Sequence, residues 1–263
     1  KCIEGITKPH TCEGQTTKGY VAKWGDSCVV SFMGSQSYLS MITDLEFYKK
    51  TVPWNGCKNC RVHEGYFYEW KRMRGCVMNS LAAAGCHRHH GKQSRGVHFT
   101  GHSLGGGLAA IAMMSLDERG YQVGESWTFG MPRTGDEHFA NEFNRRFGDR
   151  FYRATHHMDP IPHVPPTDWI VNWHFQHVEP EVYFGGTVSE GYSMCKRDND
   201  PDCSGKWWNV LYDAVHVLDH IRYMDFMIGT PGCGKNSSLS LSDDVSNLDG
   251  RNESQNATSS LLV

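Results

Sequence analysis

The sequence predicts an α/β domain built on a largely parallel sheet with helices on both faces. Two observations carry this. Strand-like runs alternate with helix-like ones from about Tyr20 to Thr155, and no Pro/Gly/Ser linker divides the chain into halves. A third is local: a polar Gly-His-Ser sits at the seam between the apolar run Val97–Thr100 and a Gly/Ala-rich run that opens at Leu104. With 263 residues the chain is long enough for one large α/β domain or two small ones. The missing linker favours one, residues 1–234.

Tyr20–Lys23 and Cys28–Phe32 are short apolar runs around the turn cluster "WGDS" and read as neighbouring strands. From Glu64 to Ala84, Phe67, Trp70, Met73/Arg74, Val77, Leu81 and Ala84 recur at steps of three and four, the period of a helix with one buried face. Val97–Thr100 reads as a buried strand, and Leu104 to Leu116 as a helix ending at Gly120. Ser126–Phe129 is a strand, Phe139, Phe143 and Phe147 mark one helix face, and Phe151–Thr155 is a further strand. Residues 235–263 lack aromatics and periodicity, so burial cannot offset their ordering entropy and a disordered tail is expected. That tail holds the glycosylation patterns at Asn252 and Asn256, and Asn236 opens it with another.

Composition excludes several functions. A formal net charge of −3 offers no basic surface for nucleic acid, and no apolar run approaches the roughly 20 residues of a membrane-spanning helix. Ten cysteines spread from Cys2 to Cys233 point to an oxidising compartment, and secretion is the simplest expectation. Cys195 and Cys203 flank "KRDNDPD" and are placed to close that loop; Cys233 is expected to tie back to Cys2 or Cys12.

Gly101-His102-Ser103-Leu104-Gly105 between a strand and a helix has the form of a nucleophile elbow. A serine in so sharp a turn has strained backbone, and small residues two positions away let strand and helix approach. The Leu104 N–H would point where an oxyanion forms, with the helix dipole in support. A serine hydroxyl needs a histidine to take its proton, and the histidine needs an acid to fix its tautomer. Asp159 follows a strand and precedes a proline, as a residue at the carboxyl end of a sheet should. The chain has fifteen histidines, and His216 and His220 would share a helix face. That spacing alone would suit a metal pair, but no third ligand follows from it. The "CHRHHGK" run at Cys86–Lys92 reads as a solvated loop.

The residues also resemble a known family. "VHFTGHSLGGGLAAIA", with "SFMGSQS" at Ser31–Ser37, "CKNCRVHEGYF" at Cys57–Phe67, "TFGMPRTGDEHFA" at Thr128–Ala140, "YRATHHMDPIPHVPP" at Tyr152–Pro166 and "HIRYM" at His220–Met224, is similar to the class 3, fungal-type lipases, with the blocks in family order. The resemblance implies an α/β-hydrolase fold and a secreted, monomeric carboxylic-ester hydrolase. It also implies an acylglycerol substrate at a lipid–water interface and no metal or organic cofactor. Feruloyl esters and phospholipids are alternative substrates on the same scaffold, and an inactive lipid-binding module is the alternative outside catalysis. It further implies Ser103 as nucleophile, Asp159 as acid, His220 as base, and Ser35, through its N–H and often its hydroxyl, as an oxyanion donor beside Leu104. The family usually carries Arg where Met33 stands, and a local disulfide at the Cys57–Cys60 block.

In "SYLSMITDLEFYK", Tyr38, Met41, Ile42, Leu45 and Tyr48 fall at helical steps, with Ser40, Thr43, Asp44 and Glu46 opposite. The resemblance makes this a lid, formed by Tyr38, Leu39, Met41, Ile42 and Leu45. Exposing its apolar face in water costs on the order of 25 cal/mol per Å², which lipid contact recovers. Hydrolysis of a short-chain ester is therefore expected to rise steeply past the substrate's solubility limit, and Ile42→Asp with Leu45→Asp to flatten that rise while sparing activity on dissolved monomer. Smooth saturation through the limit in the unmodified protein would exclude the lid.

Overall fold

The computed structural model describes residues 5–35, 48–88, 96–167, 174–210 and 216–228. The expected lid residues Tyr38, Leu39, Met41, Ile42 and Leu45, the tail, and Cys2 and Cys233 lie outside them. One eight-stranded sheet organises the chain, in the order β1 (Ile6–Glu13), β2 (Lys18–Trp24), β3 (Ser27–Phe32), β6 (Val97–His102), β7 (Ser126–Phe129), β8 (Phe151–His156), β9 (Glu181–Phe184) and β10 (Ser193–Cys195). From β3 to β9 every neighbour is parallel; the pairs β1/β2, β2/β3 and β9/β10 are antiparallel. A small hairpin of β4 (Lys49–Thr51) and β5 (Arg61–His63) stands apart from it.

Parallel pairing needs crossovers, and among the described residues α-helices lie in three of the four. Helix α1 (Glu64–Ala83) links β5 to β6, α2 (Leu104–Asp117) links β6 to β7, and α3 (Glu137–Phe147) links β7 to β8. In α1 the buried residues include Tyr66, Trp70, Met73, Val77 and Leu81, so the expected face is turned slightly: Tyr66 is buried and Phe67 only partly. Helix α2 is buried from Gly105 through Leu116, which is why its sequence is apolar all round and rich in small residues. It packs on β3 and β6 beneath α1. A second cluster of Ala154, Val182, Phe184 and Tyr223, with Trp127, Phe129 and Tyr152 against it, lies along β7–β9. These residues alternate along the strands and so share one sheet face. That face receives the short helix α4 (Val217–Ile221) and the hairpin of β11 (Arg222–Tyr223) and β12 (Phe226–Met227).

Cys12–Cys76 ties β1 to α1, Cys28–Cys86 ties β3 to the chain just beyond α1, and Cys57–Cys60 and Cys195–Cys203 close local loops. Cys12 is therefore not the partner of Cys233. Strand β1 is almost wholly exposed and carries Lys8 and Pro9, so it has no apolar alternation to reveal it. Its ladder with β2 and its bridge to α1 hold it as an edge strand. On the chain-entropy account, bridges spanning 64 and 58 residues contribute about 4 kcal/mol each.

Candidate active site

Strand β6 ends at His102 and α2 begins at Leu104, which leaves Ser103 alone in the turn with φ 57° and ψ −130°. Backbone of this kind costs a non-glycine residue roughly 1–3 kcal/mol and survives only where its surroundings hold it. Here the Ser103 N–H donates to Phe129 O at 2.9 Å, while Gly106 N–H donates to Ser103 O at 2.8 Å. A Cβ at Gly105 would stand 2.2 Å from Phe32 O, so only glycine lets α2 come this close to the end of β3. Ser103 is fully buried.

The segment after β3 runs alongside this turn. A Cβ on Gly34 would meet Ser103 Cβ and His102 O at 3.0 Å, which places the backbone leading into Ser35 against the serine. At the position where the resemblance leads one to expect Arg, Met33 is held by main-chain contacts: its N–H donates to Lys18 O at 2.9 Å and its carbonyl accepts from the Thr17 hydroxyl at 2.6 Å. Thr17 is in turn fixed by Glu69 of α1, whose Oε1 accepts from the Thr16 and Thr17 amides at 2.8 and 3.1 Å. Neither Thr17 nor Glu69 carries a sequence signal for this role.

Asp159 lies on the loop after β8 and His220 on α4, and the fold brings them together. His220 Nδ1–H donates to the Asp159 carboxylate, 3.0 Å from Oδ1 and 2.9 Å from Oδ2. Oδ1 also accepts from Ile161 N–H at 2.9 Å, and Oδ2 from the Tyr223 hydroxyl. Burial works to raise the Asp159 pKa, but the His220 charge and these hydrogen bonds outweigh it and hold the carboxyl below its ordinary value. Burial and the adjacent Asp159 push the Tyr223 hydroxyl far up, so it stays a donor.

Two residues not singled out from sequence join the serine to this pair. His102, next to Ser103, donates from Nε2 to the His220 carbonyl at 2.6 Å, with the two rings 4.4 Å apart. Burial, and then the His220 charge, lower the His102 pKa to about 3, so it is neutral. Gly130, which follows the Phe129 carbonyl that anchors Ser103, has φ +57°; a Cβ there would lie 2.8 Å from His220 Nδ1 and 2.9 Å from Asp159 Oδ2. His216 turns elsewhere: its Nδ1 is 3.2 Å from Asp219 Oδ2.

The loop beyond Asp159 is fixed by a buried ion. Arg133 donates to the carbonyls of His163 and Pro165 at 2.7 and 2.9 Å and pairs with Asp198 at 3.1 Å. Burial would raise the Asp198 pKa, but Arg133 and then His177 hold it well down. Arg133→Met strands that carboxylate and is expected to cost about 3–5 kcal/mol in urea unfolding, with Asp198→Asn in the same chain recovering part of the loss. A cost under about 1 kcal/mol would show that the pair does not brace the loop.

The chain matches the class 3 lipase family over residues 29–169, a span containing Ser35, Ser103 and Asp159. It is 30% identical over 200 residues to a protein named secreted mono- and diacylglycerol lipase 1 from Fusarium solani, covering 76% of this chain and 56% of that protein. It is 31% identical over 221 residues to a lipase of Rhizomucor miehei, covering 81% of this chain and 56% of that one. The chain thus spans little more than half the length of these curated relatives. Among solved structures it is similar to lipase II from Rhizopus niveus, with a TM-score of 0.67 and 27% identity over 85% of this chain and 81% of that chain. The sheet order, the elbow at its centre and these likenesses agree on the α/β-hydrolase fold, and the chain belongs to the class 3 lipase family.

Proposed function

We propose that the protein is a secreted serine lipase that cleaves acylglycerol esters through an acyl-enzyme, acting as a monomer at a lipid–water interface. Residues 1–234 form its catalytic unit. One observation carries the reading: the His220–Asp159 pair is joined, through His102 and Gly130, to a serine held at φ 57° in an elbow. In this reading Ser103 Oγ attacks the ester carbonyl as His220 takes its proton, and the Ser35 and Leu104 N–H groups hold the oxyanion. Asp159 keeps the Nδ1–H tautomer and stabilises the imidazolium. When the tetrahedral intermediate collapses, His220 returns the proton to the departing alcohol. Water then repeats the cycle on the acyl-serine, with no metal or organic cofactor needed for any step. A neutral His102 matters here, because a second positive charge against His220 would oppose the imidazolium.

Secretion is supported by the four disulfides among the described residues and by relatives named as secreted. A fluorophosphonate is expected to label Ser103 alone, located by peptide mass spectrometry, and a panel of mono-, di- and triacylglycerols to be hydrolysed. Absence of label would exclude catalysis by this serine. Turnover confined to feruloyl esters or phospholipids would move the substrate class.

A further inference from the structure

Beside this site stands a cluster that ester hydrolysis does not use. His157 lies on the loop after β8, two residues before Asp159, and has φ 41°, a conformation disfavoured for a residue with a Cβ. His216 precedes α4 and Asp219 belongs to it. His157 Nδ1 and His216 Nδ1 approach the same carboxylate oxygen, Asp219 Oδ2, at 3.0 and 3.2 Å. The three ligand atoms all lie within 4.8 Å of one another. Tetrahedral coordination with bonds of about 2.0–2.1 Å sets neighbouring ligands on the order of 3.3 Å apart, so a zinc ion would need only small side-chain adjustments. Met158 N–H donates to the same Asp219 Oδ2 at 3.4 Å, and His156 Nδ1 lies 3.2 Å from the Asp219 main-chain carbonyl, two further ties between the loop and the helix.

We propose that His157, His216 and Asp219 bind a divalent transition-metal ion of the zinc class. Two imidazoles and one carboxylate suit zinc and disfavour magnesium or calcium, which take oxygen ligands. The side chains are 42, 21 and 22% exposed, so solvent can reach the ion and supply its fourth ligand. The ion's role is positioning. It would clamp the loop that carries Asp159 to the helix that carries His220, since its ligands stand two residues before the one and one residue before the other. Helical spacing pairs His216 with His220, but His220 faces Asp159, and the partner of His216 comes instead from 59 residues earlier in the chain.

Zinc titration of chelator-stripped full-length protein, followed by calorimetry with magnesium as control, tests this. One zinc is expected to bind with a micromolar or tighter dissociation constant, and zinc at a hundredfold that constant to raise Tm by about 5 °C. His157→Gln with His216→Gln should abolish both effects, and Ser103→Ala should keep both. Should the double variant fail to fold, His216→Gln alone is expected to weaken zinc at least tenfold. Zinc binding weaker than about 100 μM in the parent, or equal in parent and variants, would overturn the proposal. Loss of binding in Ser103→Ala would also overturn it, because the ion would then sit at the reacting serine.

Discussion

Ser103→Ala is expected to lower kcat on a dissolved short-chain ester by about 10⁶, and Asp159→Asn by about 10⁴, with KM little changed in either case. The first removes the proposed nucleophile. The second leaves the shape but reverses the tautomer, because an amide donor facing His220 Nδ1 drives the proton to the nitrogen that must accept it from serine. Assayed without added zinc, His216→Ala should stay active, since His216 faces Asp219. Purified variants assayed with active-site titration of the parent decide the matter. An inactive His216→Ala beside an active His220→Ala would overturn the assignment of the base. Asp159 also carries a stability signature. Its folded pKa lies below its unfolded value, so its contribution is present above the unfolded carboxyl range near pH 4 and fades as pH falls toward the folded value. Asp159→Asn should remove that part of the acid dependence of urea unfolding.

Gly130→Ala should come next in size. The added Cβ would stand 2.8 Å from the His220 ring and 2.9 Å from Asp159 Oδ2, at a φ of +57°. Either the backbone shifts, losing the hold on Ser103, or the His220–Asp159 pair is displaced. A misplacement of about 1 Å at a reacting group costs on the order of 10²-fold, and a fall in kcat of at least that size is expected. The positive φ adds about 1–2 kcal/mol of instability. Gly120→Ala separates the two effects, because Gly120 has φ +80° and nothing within 4 Å of its added Cβ. It should lose similar stability and no turnover. Equal turnover in both variants would show that Gly130 does not shape the site.

Much of the fold is legible in the amino-acid sequence because the signals are short-range. Strands β2, β3, β6, β7 and β8 show as short apolar runs, α1 and α3 each bury one face and so carry a period of three to four residues, and α2, buried all round, shows as an apolar run rich in Gly, Ala and Met. Strand β1 buries little, and β9 is only four residues long and opens on the charged Glu181, so neither stands out as an apolar run. Of the cysteine pairings, Cys195–Cys203 is legible from the short loop it closes and Cys57–Cys60 from the family resemblance, whereas Cys12–Cys76 and Cys28–Cys86 depend on how α1 lies on the sheet. Arg133, Thr17, Glu69, His102 and Gly130 carry no such signal, because each acts on partners distant in the chain.

By itself the sequence determined the elbow, since a strained serine between strand and helix requires small residues at Gly101 and Gly105, all within five positions. Through the resemblance of its ordered blocks to the class 3 lipases it also pointed to Asp159 and His220 as the expected partners of the serine. Only the tertiary structure decided that these two touch across 61 residues, and that His216, one helical turn from His220, meets Asp219 and His157 instead. The reason is physical. Sterics and burial period act over a few bonds and leave a local trace, whereas the choice among fifteen histidines depends on where packing on the β7–β9 face puts the ends of a short helix.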